Sequence, residues 1–337
     1  DNVSQNGKKL RESIIETAET WQSKNFVPSE FISYVKDESK VAFNWTMIDK
    51  ITPRPSDDVG RMLADSGVED MNTVITSKRT YIAPFVNAEA PEYLVIEDNF
   101  PNGRPELEKA GLYFTNRETV DKVEKMKVCT CLNPLHTFLA VSGCLLGYTL
   151  IADEMKDADL LRLVKRLGYD EGLPVVVDPG IIKPINFIYE VVNIRIPNPF
   201  MPDTPQRISC DTSQKLSIRF GETIKGYLSR NDLNINDLKV VPAVFALWLR
   251  YLMAIDDNGN AFELSPDPLL DECKKYVANV KLGGDAAAAC KDVEPLLHRK
   301  EIFGVDLFEA GLADAVCEYF AKLISGKGAV REFLKQL

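Results

Sequence analysis

The run from Thr137 to Tyr148, Thr-Phe-Leu-Ala-Val-Ser-Gly-Cys-Leu-Leu-Gly-Tyr, constrains the fold more than any other part of the sequence. It is almost wholly apolar, so a helix formed by it must be buried on every side. The residues just before it, 124–136, include two lysines, a glutamate, an asparagine and one of the two histidines of the chain. Polar side chains at the mouth of a buried helix must be paired or used, because an unpaired polar group in an apolar setting costs about 1–3 kcal/mol. We therefore expect the functional site at residues 124–136.

The secondary-structure pattern changes near residue 116. Residues 71–114 contain β-rich runs at 74–75, 81–86 and 93–96, which turn residues separate. Beyond residue 116 the apolar residues recur at helical spacing. The predicted helical segments are 120–148, 153–167, 185–194, 238–254, 268–280, 285–297 and 307–324. The chain is therefore predicted to be α+β, with strands in a first domain (1–115) and a mostly α-helical second domain (116–337).

Composition limits the classes of partner. The formal net charge of −10 argues against nucleic acid and against an anionic membrane surface. The longest apolar run, 138–150, is too short to span a bilayer. The seven cysteines are odd in number and lack the spacing of zinc ligands, which indicates reduced thiols, a cytoplasmic location and no metal site.

The residues before the apolar run do not fit one regular helix. Asn133 and His136 are three residues apart and share a helical face, but Lys127 precedes Asn133 by six residues and would lie about 240° away around the axis. Pro134 kinks or breaks the helix there, and a one-residue bulge would rotate Lys127 toward the pair. One hypothesis is a lysine base beside polar groups that hold an oxygen. The other, which the residues alone favour, is a kinked core helix whose Asn133 and His136 cap the break.

A set of ordered motifs changes this balance. They are Lys127, Asn133 and His136 followed by Leu139-Ala140 and Gly143…Gly147; Glu124 three residues before the lysine; Asp1-Asn2 with Asn6-Gly7; Met47 to Pro53; Ile96 to Pro105; and Arg207, Asp211 and Lys215-Leu216. Each motif alone is weak, but together they extend over most of the chain. On these motifs the chain resembles the mannitol dehydrogenase family of long-chain, metal-independent, NAD-dependent dehydrogenases, which includes fructuronate and tagaturonate reductases.

The resemblance implies a fold and a cofactor. Residues 1–115 would be the C-terminal part of a Rossmann-type NAD-binding domain, and 116–337 a helical substrate domain like the C-terminal domain of 6-phosphogluconate dehydrogenase. The sequence contains no G-x-G-x-x-G loop, so we expect the phosphate-binding loop to lie upstream and this chain alone to be inactive. The implied cofactor is NAD(H), while a choice of NADP stays open because the discriminating residues would also lie upstream.

The resemblance also implies an activity. The family transfers hydride between nicotinamide and a ketose or keto-uronate, giving the sugar alcohol or aldonate, without a metal. The expected reaction is that of a fructuronate reductase (D-mannonate oxidoreductase), and mannitol 2-dehydrogenase and tagaturonate reductase are the alternatives. A non-catalytic module that binds sugar acids or a partner chain is the alternative from a different class. The expected partner is a small sugar acid or polyol, and the sequence does not indicate an oligomeric state.

Roles in the chemistry follow from the same resemblance. Lys127 would be the general acid and base. Asn133 and Asn2 would donate hydrogen bonds to the reacting oxygen, and His136 would orient a neighbouring hydroxyl. Glu124 would relay protons to water.

Further residues are implied to hold substrate or cofactor. Arg207 and Lys215 are expected to contact the substrate, and Asp1 together with Asn2 the cofactor. Asp49 is either a proton relay or the cap of a turn. Arg54, with Lys50 as the other candidate, could pair with a substrate carboxylate, although a solvated loop arginine is the commoner situation.

One spacing departs from the family pattern. The family usually has four residues between lysine and asparagine, and this chain has five between Lys127 and Asn133. Either a bulge absorbs the extra residue or Lys127 is not the base. The position of Glu124 favours Lys127 over Lys125.

Overall fold

The computed structural model describes residues 3–337, in which α-helices predominate. The α-helices are α1 Asn6–Ser23, α2 Ser29–Lys36, α3 Asp57–Asp65, α4 Arg117–Met126, α5 Asn133–Leu146, α6 Ile151–Glu154, α7 Ala158–Lys165, α8 Pro184–Glu190, α9 Pro205–Ile208, α10 Thr212–Leu216, α11 Glu222–Ser229, α12 Val240–Leu252, α13 Leu270–Cys273, α14 Ala286–Leu297, α15 Lys300–Phe303, α16 Ala313–Leu323 and α17 Ala329–Gln336. The strands are β1 Thr46–Asp49, β2 Val74–Ile75, β3 Tyr81–Ile82, β4 Tyr93–Glu97 and β5 Tyr113–Thr115. Few strands beside many helices confirm the predicted fold class.

Two compact units make up the described chain. The first comprises residues 3–51, Ala88–Met126 and Val177–Lys183, and the second comprises Thr52–Asn87, Lys127–Val176 and Pro184–Leu337. The units do not follow the single boundary predicted at residue 116. The chain passes into the second unit after Met126, and the segment 52–87 packs with that unit as well. One anchor of this segment is Asn87, whose Nδ2 donates to the Phe200 carbonyl at 3.2 Å.

The first unit is built on a three-stranded sheet in the order β1-β4-β5. β1 is antiparallel to β4, with Thr46 opposite Ile96, and β4 is parallel to β5. Helix α4 packs on β1 and β4, and its Val120, Val123 and Met126 are buried. The strand at 93–96, which is the central strand of this sheet, was predicted, whereas β1 was not among the predicted strands.

The core of the second unit surrounds α12, an apolar helix in which every residue is buried. It packs against α16 and α5. Phe245 of α12 makes edge contacts with Phe220 and Phe303, with ring centroids 5.7 and 4.9 Å apart. The N-terminus of α12 is capped from another part of the chain, because the Glu171 carboxylate accepts hydrogen bonds from the backbone N–H of residues 239, 240 and 241 at 2.8–2.9 Å.

The segment predicted as one helix over 120–148 contains an irregular turn. Between α4 and α5 lies a π-helical turn, Lys127–Cys131, in which the Leu132 N–H donates to the Lys127 carbonyl at 3.1 Å. The bulge considered between Lys127 and Asn133 is therefore present. Three more π-helical stretches occur in residues 3–337, at Arg166–Gly172, Val191–Arg195 and Ser217–Gly221.

Residues 117–146, taken as one continuous helical segment, are long and apolar enough by composition to cross a membrane. Within the protein, however, 83% of the apolar window is buried. Gly143 illustrates how tightly it is packed, because a Cβ atom at this position would overlap the Glu154 carboxylate of α6. Such burial is typical of a core helix.

Candidate active site

Lys127 is the first residue of the π turn 127–131 and is only 8% exposed. Lys125, two residues earlier, is exposed and pairs with Asp121 across one helical turn at 2.9 Å. A buried ammonium is costly unless it is paired or used. Burial therefore distinguishes Lys127 from Lys125, and the role of Lys127 as the base stays a prediction.

The π turn 127–131 is held by two other irregular turns. It packs against the π stretches 166–172 and 217–221. The stretch 166–172 approaches the π turn so closely that glycine is required at one position. A Cβ atom at Gly172 would lie 2.8 Å from Thr130 Cγ2. Because the turn is enclosed, its extra residue is part of the packed structure.

Helix α5 begins at Asn133, directly after the turn. Pro134 is accommodated in its first turn, where a backbone N–H has no helical partner to lose. The Thr137 hydroxyl donates to the Asn133 carbonyl at 3.0 Å. Asn133 and His136 are both half-buried and are three residues apart on this helix, so they share a face.

His136 lies in a cationic environment. Burial lowers its pKa to about 4, Asp203 acts in the opposite direction, and Arg219, Arg195 and Arg207 lower it further. The imidazole is therefore neutral at neutral pH, with one nitrogen that donates and one that accepts. A neutral ring can therefore either donate a hydrogen bond to a hydroxyl group or accept one from it.

Arg207 was predicted to contact substrate. It is exposed and forms a two-pronged ion pair with Asp203, in which Nε lies 2.6 Å from Oδ1 and Nη2 contacts Oδ2. This hydrogen bonding raises the pKa of Arg207. Asp203 thus compensates much of the Arg207 charge.

Lys215 was also predicted to contact substrate. Its ammonium donates to the carbonyl of Ile208 at 3.4 Å and to that of Cys210. Burial lowers the pKa of Lys215, and the neighbouring Arg219 lowers it further. The structure therefore brings His136, Arg207 and Lys215 into one electrostatic neighbourhood.

Three charged residues of this neighbourhood were not predicted from the sequence. Asp203 is one of them. Arg195 ends a π stretch, is 2% exposed and lies 5.7 Å from the Phe187 ring centroid. Arg219 lies in the π stretch 217–221, and its Nη1 donates a hydrogen bond to the Thr137 hydroxyl at 2.6 Å.

A signal for Arg219 was present in the sequence. Arg219 follows Lys215 by four residues, which is the spacing of neighbours on one helical face. No comparable signal marked Arg195 or Asp203.

The other predicted site residues lie elsewhere or outside the described range. Arg54 is exposed, with its guanidinium 5.6 Å from the Tyr81 ring centroid. In the first unit, Asp49 is buried at the end of β1 and Glu124 is half-buried on α4. Lys50 donates to the Glu89 carbonyl and pairs with Glu92, both at 2.9 Å. Asp1 and Asn2 fall outside residues 3–337, so their predicted roles stay predictions.

The neighbourhood has a defined chemical capacity. Across residues 3–337, no group of three or more His, Cys, Asp or Glu side chains is placed to hold a metal ion. What the second unit does combine is a buried amine, an amide, a neutral imidazole and several cations. These groups suit a small, oxygen-rich, anionic molecule and the transfer of a proton.

Comparisons with known proteins identify the chain's relatives. Residues 119–324 match the family model described as the mannitol dehydrogenase C-terminal domain. A Thermotoga maritima protein named D-mannonate oxidoreductase is 54% identical over 339 residues, covering 100% of this chain and 62% of that protein. An uncharacterised Escherichia coli oxidoreductase, YeiQ, is 30% identical, covering 91% of this chain and 56% of that protein.

The fold has a solved counterpart. A ternary complex of Pseudomonas fluorescens mannitol 2-dehydrogenase with NAD and D-mannitol superposes with a TM-score of 0.69 at 26% identity, covering 100% of this chain and 61% of that one. This chain therefore spans about three fifths of the length of the relatives it matches. The family match and the 54% identity establish that the chain belongs to the mannitol dehydrogenase family.

Proposed function

We propose that this chain is the substrate-binding and proton-transfer portion of an NAD(H)-dependent oxidoreductase that interconverts D-fructuronate and D-mannonate. The name of the 54% identical relative supports this substrate pair. The cations around His136 support an anionic substrate. Because the chain spans 62% of that relative, the activity belongs to the longer protein.

The observation that carries the proposal is the burial of Lys127 at a π turn directly before the helix with Asn133 and His136. Such turns occur often at functional sites. In the oxidation direction the Lys127 amine takes the proton of the reacting hydroxyl, and in reduction its ammonium returns it. Glu124 is proposed to exchange that proton with water.

The remaining residues hold the substrate. The amides of Asn133 and Asn2 donate to the oxygen that gains negative charge. His136, being neutral, orients the adjacent hydroxyl. Arg207 and Lys215 bind the polar part of the substrate, and Asp49 is proposed as a proton relay.

The dinucleotide is proposed by analogy with the solved relative, which contains NAD. When bound, NAD(H) supplies or accepts the hydride. The described residues include no G-x-G-x-x-G loop of the kind that binds a pyrophosphate. Asp1 and Asn2 are the cofactor contacts we propose within this sequence.

A neutral ketose is the second candidate substrate, which the likeness to mannitol 2-dehydrogenase favours.

A cytoplasmic location is also proposed, since no disulfide joins any of the seven cysteines.

The test uses the full-length protein. NADH absorbance is followed with D-fructuronate, D-tagaturonate and D-fructose in parallel. We expect D-fructuronate to give the highest kcat/KM. Preferred turnover of D-tagaturonate or D-fructose would reassign the substrate, and bound NADH without turnover of any of the three would contradict the proposed activity.

A further inference from the structure

We propose that Arg219 is the residue that binds the carboxylate of the substrate and so sets the preference for uronates over neutral ketoses. This inference rests on the proposed function, because it names the group that recognises the acid end of the proposed substrate. It replaces Arg54 and Lys50 as the first candidate for that role.

Arg219 lies close to the proposed site. Arg219 lies in the π stretch 217–221, which packs against the π turn that begins with Lys127. Its guanidinium donates a hydrogen bond to the hydroxyl of Thr137, the residue that follows His136 in the sequence. Arg219 therefore lies beside the first turn of the helix that carries Asn133 and His136.

Arg219 carries a charge that no described carboxylate neutralises. Arg207 already pairs with Asp203, Lys50 with Glu92, and Arg54 lies over Tyr81. Throughout the part of the chain that the structure describes, no carboxylate lies within 4 Å of the Arg219 guanidinium. Burial alone lowers the pKa of Arg219 to about 10, so the group is still charged at neutral pH.

Arg219 also has hydrogen-bond donors to spare. A guanidinium has five N–H donors, and Thr137 accepts from one of its nitrogens. The planar fork of the remaining donors matches the two oxygens of a carboxylate. A neutral ketose, which has a hydroxyl at that end, would leave this partly buried charge without a counter-ion, and such a mismatch discriminates between ligands.

A purely structural role of Arg219 would give a different experimental result. The Thr137 hydroxyl accepts from Arg219 and donates to the Asn133 carbonyl. If Arg219 only supported Asn133 through Thr137, its loss would impair uronate and neutral substrates alike. The ratio between the two substrates therefore separates the two roles.

The experiment compares Arg219→Gln, Thr137→Val and wild type in the full-length protein. We expect Arg219→Gln to lower kcat/KM for D-fructuronate about 100-fold, which is in the range for loss of one partner of a buried charge pair. The same substitution should change kcat/KM for D-fructose by less than about tenfold. Thr137→Val should lower kcat/KM for both substrates by the same factor. As a matched control, Arg230→Gln, at an exposed arginine paired with Asp232, should leave the ratio as in wild type.

A binding measurement keeps the test independent of turnover. Calorimetry of D-gluconate and D-glucitol should give a carboxylate preference in wild type that Arg219→Gln abolishes. Equal losses for both kinds of ligand, or a loss of preference in Arg54→Ala but not in Arg219→Gln, would overturn the assignment. If wild type turns over no uronate yet still prefers D-gluconate through Arg219, the proposed reaction fails while the carboxylate site stands.

Discussion

Lys127 and Lys125 are two residues apart but have opposite environments: the first is buried at an irregular turn, and the second is exposed in an ion pair with Asp121. A side chain that transfers a proton to substrate needs a defined position and exclusion from bulk water. This contrast provides a matched pair of lysines for testing the proton-transfer role.

We expect Lys127→Met in the full-length protein to lower kcat by about 10²–10⁴-fold, the usual contribution of general acid–base catalysis. Lys125→Met should retain kcat within about twofold, because it removes only an exposed i,i+4 pair. Steady-state NADH oxidation measures both variants. A Lys127→Met enzyme with more than a tenth of wild-type kcat would contradict the role.

The depressed pKa of His136 predicts the effect of acid on stability. The folded pKa is about 4, below the ordinary value of 6.5, so between these values the unfolded state binds more protons and stability falls as pH falls. The groups that act on this imidazole are Asp203, Arg195, Arg207 and Arg219. Wild type should therefore lose more thermal stability from pH 7 to pH 5 than His136→Gln does.

Thermal melts of both proteins at the two pH values measure this difference. The buffer and salt concentration are held constant, because the nearby cations respond to screening. Parallel losses in the two proteins would show that His136 is protonated normally in the folded state.

At the scale of elements, α12 depends on a cap supplied by a distant residue. The Glu171 carboxylate is 1% exposed and accepts three backbone N–H groups at the start of this buried helix. Burial raises the pKa of Glu171 even though these hydrogen bonds act to lower it. Without the carboxylate, three donors would be left in an apolar interior.

Glu171→Ala should lower the free energy of unfolding by about 2–4 kcal/mol, because it removes a cap and leaves buried donors unpaired. Glu222→Ala is the control, since Glu222 forms an exposed i,i+3 pair with Lys225 at 2.8 Å, and its loss should cost less than about 0.5 kcal/mol. Urea unfolding followed by circular dichroism measures both. Similar midpoints for the two variants would rule out the capping role.

Elements with strong apolar periodicity were predictable. The pattern over 238–254 predicted α12, and that over 285–297 predicted α14, because long apolar stripes leave few alternatives. The region 205–229 was not predicted as helical. It forms helices of four, five and eight residues, interrupted by Asp211 in the left-handed conformation and by a π stretch, so no segment is long enough to establish a period.

The same limit applies to the candidate site. Lys127, Asn133 and His136 are close in the sequence, so their relation was open to inference from helix geometry. Arg195 and Arg219 reach the same neighbourhood from separate segments. Only tertiary packing, which a local pattern does not contain, places them beside His136.

At the scale of the whole molecule, the second unit combines a fully buried centre with an exposed periphery. Every residue of α12 is buried, whereas no residue of α3 is, and both strands of the β2–β3 hairpin are exposed. Regions with few buried contacts open locally, while core helices open only in global unfolding.

Amide hydrogen exchange should therefore be slowest in α12 and fastest, within this unit, in residues 57–82. Mass spectrometry of peptides from the intact protein measures the order. Exchange in 57–82 as slow as in α12 would mean that this segment is covered in the intact protein.

The π stretches have a consequence for the history of the sequence. A π turn is a helix with one extra residue, so a codon can be gained or lost there while the flanking helices keep their places. The five residues between Lys127 and Asn133, where the family pattern implied by the resemblance has four, span such a turn. A pattern that allows a one-residue gap at such a turn matches both spacings, whereas a pattern with a fixed interval matches only one of them.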